Sequence, residues 1–180
     1  MKKFIELIKE ENIFVPRNIE GRKEKIKQQL LKTLSQKVIE GDIEINCNLI
    51  PDNFTSKTEI INGNVDIINC KSLKFFKKLK EVNGFFECTA NDLTSLEGSP
   101  EIVNGWFSCI SNQLTSLKDG PKSVKKWFSC SFNQLTSLEG CPKTVGGNFG
   151  CSNNKVKFTK EDVKKYCKVG MKIFNKNNQL

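Results

Sequence analysis

Histidine is absent from this chain. Its absence removes the side chain most used as a general base near neutral pH and the usual nitrogen ligand of zinc. A nucleophilic cysteine needs a nearby base, and the His that normally supplies one is missing. The sequence also lacks a P-loop and a dinucleotide-binding fingerprint. No run of about 18 apolar residues occurs, so no membrane-spanning helix is expected. The opening MKKFIELIKEENIF has charges inside its apolar stretch and no small-residue cleavage site, which argues against a signal peptide. The expectation is a cytoplasmic protein with no catalytic residues, no cofactor, no metal and no small-molecule substrate.

What the chain does have is a period of 21 residues. Cys88, Cys109, Cys130 and Cys151 fall on it, as do Phe86, Phe107, Phe128 and Phe149, and Asn91, Asn112, Asn133 and Asn154. NDLTSL at 91–96 returns as NQLTSL at 112–117 and 133–138, with Pro100, Pro121 and Pro142 in step. Self-similarity at such a period means a stacked solenoid, in which one repeat cannot bury its apolar face without a neighbour. Phe107-Ser108-Cys109 alternates as a short strand does, followed by Asn112, Leu114 and Leu117. These offsets match the leucine-rich-repeat core L-x-L-x-x-N-x-L, with Phe and Cys in the first two apolar slots. Inward Phe, Cys and Leu fill the core, and the buried Asn amide satisfies backbone groups where the chain leaves the strand. The frame reaches back through Val65 to Ile43, Ile45, Asn48 and Ile50. Six rungs are counted, starting near 43, 65, 86, 107, 128 and 149.

The fold class expected is therefore an α+β leucine-rich-repeat solenoid with one parallel sheet. Residues 1–40 read as a helical N-terminal cap. Phe4, Ile5, Leu7 and Ile8 form one face, and Ile26, Leu30, Leu31, Leu34 and Val38 a second beyond Pro16. Residues 41–158 are the stack. Residues 159–180 read as a helical C-terminal lid, begun by a capping-box-like Thr159…Asp162 and followed by a polar tail. Cysteines on the period are expected to be free thiols serving as small core hydrophobes, with Cys141 and Cys167 outside the column and unpaired. The net charge of +9 is uneven: +4 over 1–40, −4 over 41–67 and +6 over 146–180. Lys far outnumbers Arg, so solvated caps are favoured over a phosphate-reading surface.

The block GxFxCSxNQLTSLEGxPKxVGG resembles short-repeat leucine-rich proteins of bacteriophages and prophages. The LTSLEG-x-P element is also similar to repeats of bacterial secreted effectors that carry a ubiquitin-ligase domain, but only about 20 residues follow the repeats here. RNIEGRKEKIKQQLLK with EGDIEI looks like the helical lead-in of the phage proteins. The resemblance covers 41–158 and implies a binding scaffold whose target it does not name. One residue is inserted between Val103 and Phe107 relative to the standard leucine-rich spacing, which unsettles the turn there.

If Phe107 and Cys109 point inward, Trp106, Ser108 and Ile110 point out. Across rungs the outer face reads Asn64, Phe85, Trp106, Trp127, Asn148, then Asp66, Glu87, Ser108, Ser129, Gly150, then Ile68, Thr89, Ile110, Ser131, Ser152. Exposed aromatics on neighbouring strands mark a binding face as readily as they stiffen a sheet. The candidate partner-binding set is Phe85, Trp106, Trp127, Glu87, Ser108, Ser129 and Ile110, rimmed by Lys125 and Lys126. The partner expected first is a protein, such as a host factor or defence enzyme met by a phage-encoded module. The alternatives are a nucleic acid, an inhibitor of a nucleic-acid-guided nuclease engaging a nucleoprotein, and a virion component. A membrane is not expected.

Overall fold

The computed structural model describes residues 19–175. The chain opens with helix α1 (Ile19–Leu34) and then winds through seven turns of a parallel β-solenoid, each carrying two short strands. The first turn holds β1 (Val38–Glu40) and β2 (Ile43–Asn46), the second β3 (Ile60–Asn62) and β4 (Val65–Ile68). The third and fourth hold β5 (Glu81–Val82), β6 (Phe86–Glu87), β7 (Ile102–Val103) and β8 (Phe107–Ser108). The fifth and sixth hold β9 (Ser123–Val124), β10 (Phe128–Ser129), β11 (Thr144–Val145) and β12 (Phe149–Gly150). After helix α2 (Lys160–Tyr166) the seventh turn holds β13 (Lys168–Val169) and β14 (Ile173–Phe174).

Odd-numbered strands form one parallel sheet and even-numbered strands the other. The single sheet expected from the leucine-rich pattern is thus replaced by two. The residue that seemed inserted after Val103 explains the difference. Val103 belongs to its own strand, and Asn104, Gly105 and Trp106 turn the corner into Phe107 of the second sheet. Gly105 lets the rungs approach closely at that corner, since a Cβ on it as placed would lie 2.5 Å from the carbonyl oxygen of Gly84 in the rung before.

Register in the second sheet runs Ile43, Val65, Phe86, Phe107, Phe128, Phe149, Ile173, so the six starts read from sequence are strand partners and a seventh follows. The seventh corrects the reading of 159–180 as a lid. Thr159 and Asp162 do form a reciprocal capping box, but α2 has only seven residues and fills the return arm of a rung. The chain then re-enters both sheets, Val169 beside Val145 and Ile173 beside Phe149. At the other end Leu30 and Leu34 of α1 join the core, whereas Val38 is an exposed residue of β1 and not of the helix. The apolar face read over residues 4–8, Pro16, and the tail after Asn175 lie outside the described residues. Among the described residues no helix is long and apolar enough to cross a membrane.

The core is a set of axial columns. Phe86, Phe107, Phe128 and Phe149 follow one another with ring centroids 5.5, 5.7 and 5.1 Å apart, all fully buried. Each such side chain contributes about 1.5–3 kcal/mol of burial. Beside them lie the cysteine column, the two leucines of each LTSL, and Val82, Val103, Val124 and Val145 of the first sheet. The LTSL serines cap turns: Ser95, Ser116 and Ser137 each accept a hydrogen bond from the backbone N–H two residues on.

The asparagine column behaves as the sequence predicts. The Oδ1 of Asn112 accepts from Leu93 N–H at 3.0 Å, and its Nδ2 donates to the carbonyls of Cys88, Cys109 and Ile110. Asn133 repeats this one rung later. The first rung departs from the pattern. Asn48 is exposed on a short 3-10 turn, and Cys47 is joined instead by a disulfide to Cys70, which holds the asparagine slot of the second rung. The Cα atoms of that pair are 5.1 Å apart.

Candidate functional site

The outer face of the second sheet is built by alternation. Phe and Cys of each F-x-C go inward, and the residues before, between and after them go outward. The structure brings the nominated residues to this face, but not as an open ladder. Phe85, Trp106 and Trp127 are half-buried, and Phe85 and Trp106 stack with centroids 4.4 Å apart and planes 11° from parallel. In that pair each ring covers one face of the other.

Ser108 and Ser129 are not exposed, as the alternation led one to expect, but buried at 1 %. Short hydroxyls sink between taller neighbours on both sides. Ser108 Oγ is 2.6 Å from Thr89 Oγ1, and Ser129 Oγ donates to Ser131 Oγ at 3.3 Å. They form a polar floor between two ridges. Glu87 is half-buried beside the more exposed Asp66, its partner in register. Desolvation first, and the charge of Glu87 second, push the Asp66 carboxyl above its usual range. Lys125 and Lys126 are exposed on the corner leading into Trp127.

The face opens into a groove of about 580 Å³ toward the C-terminal end of the stack. Trp127, Ile110 and Ser129 line it from the nominated set, and Ser131, Gly150 and Ser152 lie beside Ser129 along it. Two further walls, Phe132 and Phe174, were absent from the sequence reading. Phe174 occupies the outward position that Ser108, Ser129 and Gly150 hold in earlier rungs, and stands beside Gly150. Finding it requires knowing that a seventh rung exists.

Phe132 had a readable signal. The position after the outward column repeats as Asn69, Ala90, Ser111, Phe132 and Asn153, and only Phe132 is large there. All five adopt left-handed backbone, with φ between 52° and 56°, because the chain must turn there to drive the next residue into the buried asparagine slot. Asn suits that conformation and Phe does not. Phe132 is nonetheless 53 % exposed, with its ring against the groove.

Comparisons with protein-family models, with curated proteins and with solved structures find no match to this chain. The architecture and the groove therefore speak through their own geometry. The column thiols of Cys88, Cys109 and Cys130 are all raised by burial, and Cys151 is pushed up to about 12 by desolvation. Such thiols carry almost no thiolate at neutral pH. Among the described residues no group of three or more Cys, Asp or Glu converges so as to hold a metal ion.

Proposed function

We propose that this protein is a non-enzymatic recognition module. It takes a protein partner on the outer face of its second sheet, around the groove walled by Trp127, Phe132 and Phe174. The observation that carries this reading is Phe132. A bulky side chain in left-handed backbone costs on the order of 1–3 kcal/mol, and leaving the ring in water forgoes the burial that would offset it. A residue that weakens the fold in both ways supports a role outside the fold. Its setting, aromatic walls over a hydroxyl floor, suits the apolar anchor of a protein partner with polar contacts beneath.

The stacked Phe85–Trp106 pair favours a protein over a single-stranded nucleic acid. The stack covers one face of each of those rings, which reduces what a base could stack on, whereas ring edges pack well against protein side chains. If the chain is phage-encoded, as the repeat resemblance implies, the partner belongs to the host cell, a defence enzyme being one such candidate.

Affinity capture with four versions of the full chain tests the proposal: wild type, Phe132→Asn, Trp127→Ser, and Ile102→Ser on the first sheet as control. A protein held by wild type and the control but lost by both groove variants, with circular dichroism unchanged, is the expected outcome. Capture that survives both groove substitutions refutes the site. Recovered nucleic acid with a steep salt dependence, or stoichiometric recovery in virus particles, would replace the partner class.

A further inference from the structure

The two ends of the stack are finished differently. The inward column of the first sheet starts at Ile39, 3 % exposed, and ends at Val169, which is half-buried. Hydrogen bonding shows what the last rung lacks. In the second sheet each rung donates N–H groups to carbonyls of the next: Phe128 to Asn148 O at 3.0 Å, and Cys130 to Gly150 O at 2.9 Å. Phe149 and Cys151 donate in turn to Lys172 O and Phe174 O, both at 2.9 Å. Ile173 of β14 and Asn175 just past it hold the matching positions in the last rung. Their N–H groups face away from the stack, and among the described residues no strand follows to accept them. Two donors on alternate residues match the carbonyls of one extended chain. The same edge exposes Met171 and Phe174, at 69 % and 52 %, and Phe174 is a wall of the groove.

We propose that the partner held by the groove presents an extended acidic segment, which pairs along β14 as an eighth strand of the second sheet. The proposal rests on the groove being the recognition site. A strand added there lies about 4.8 Å beyond β14, so its outward side chain stands beside Phe174 and continues the groove face. Main-chain hydrogen bonds then supply affinity, and the groove supplies selectivity. Charge sets the chemistry of the segment. Lys168 and Lys172 are exposed on this rung, and among the described residues no acidic side chain pairs with either. Residues 146–180 as a whole carry a net charge of +6. Lysines at a sheet edge oppose pairing with the same edge of a second copy, and they attract an acidic strand. The first rung of a second copy is less available, because Leu30 and Leu34 of α1 already pack into the core at that end.

A displayed random-peptide library, selected on the full chain, supplies the probe, and hydrogen exchange read by NMR supplies the readout. The selected peptides should carry Asp and Glu around alternating β-branched residues. The tightest of them should slow exchange at the Ile173 and Asn175 amides. N-methylation of one alternating set of its backbone nitrogens should weaken binding about tenfold, and methylation of the other set should not. Ile173→Pro removes one outward N–H at an edge where proline is tolerated, and should weaken binding by about the same factor. The exchange and N-methyl results stand even if that variant unfolds. A library that enriches no such peptide, or a bound peptide that leaves both amides exchanging as in the free protein, overturns the proposal. So does protection of these amides without peptide. Protection that grows with protein concentration would assign the edge to a second copy, and protection in the monomer would assign it to the chain's own residues after Asn175. Peptides that protect both amides yet bind Phe132→Asn normally would support the edge and remove the groove. Peptides lost on Phe132→Asn that never protect Ile173 would do the reverse.

Discussion

Asn112 and Phe132 stand at opposite poles of what a single residue does in this fold. Asn112 is buried and answers four backbone groups across two rungs. Replacing it by Ala strands a buried N–H and several carbonyls, and we expect a loss of about 3 kcal/mol in urea unfolding. Phe132→Asn puts a residue suited to left-handed backbone where Phe is strained, and should raise stability by about 1 kcal/mol in the same measurement. Asp66 gives a pH-dependent case. Its carboxyl titrates higher in the folded chain, so its ionisation disfavours folding above that titration, and the penalty fades as pH falls through it. Asp66→Asn should therefore raise the melting temperature at neutral pH, with the gain vanishing in acid. The buried slots at this scale were legible because each recurs every 21 residues. Phe132 was legible in principle, as the one large residue in its column, but its meaning depends on a backbone conformation that the sequence does not display.

Short strands defeated the sequence at the scale of elements. The strands of the first sheet from β5 to β11 are two residues long, as at Ile102–Val103, too brief for any alternation to register. The sequence therefore pointed to one sheet where the fold has two. The Thr159 capping box was read correctly, but nothing local in the helix signals that the chain beyond re-enters the stack. Register gives the reason: the return from Asn148 to Lys172 takes 24 residues instead of 21, the longer arm being α2. The disulfide was hidden too, since Cys47 is off the period and meets Cys70 only once two rungs are stacked. Its loop spans a sequence separation of 23, for which bridging contributes about 3 kcal/mol. Chemical reduction should lower the unfolding midpoint by a corresponding amount and loosen β1 and β2 first in hydrogen exchange. Equal loosening in the middle rungs would contradict that assignment.

Taken whole, the protein is a linear stack in which each rung is stabilised mainly by its two neighbours. Amide protection should be greatest for β6, β8 and β10 and fall toward both ends, which hydrogen exchange read by NMR can check. The groove lies in the more C-terminal part of this gradient, between the well-supported Trp127 and the terminal Phe174. Such a site combines a rigid wall with one that can adjust. The lysine-rich C-terminal region should add a salt-dependent contribution to encounter without setting which partner is chosen. The most direct test is to titrate the captured partner against wild type and Phe132→Asn by calorimetry, with the unfolding midpoint of each measured alongside. The account predicts that Phe132→Asn is at least as stable as wild type and binds at least tenfold more weakly, a difference of about 1.4 kcal/mol or more. Unchanged affinity in a folded Phe132→Asn would contradict it.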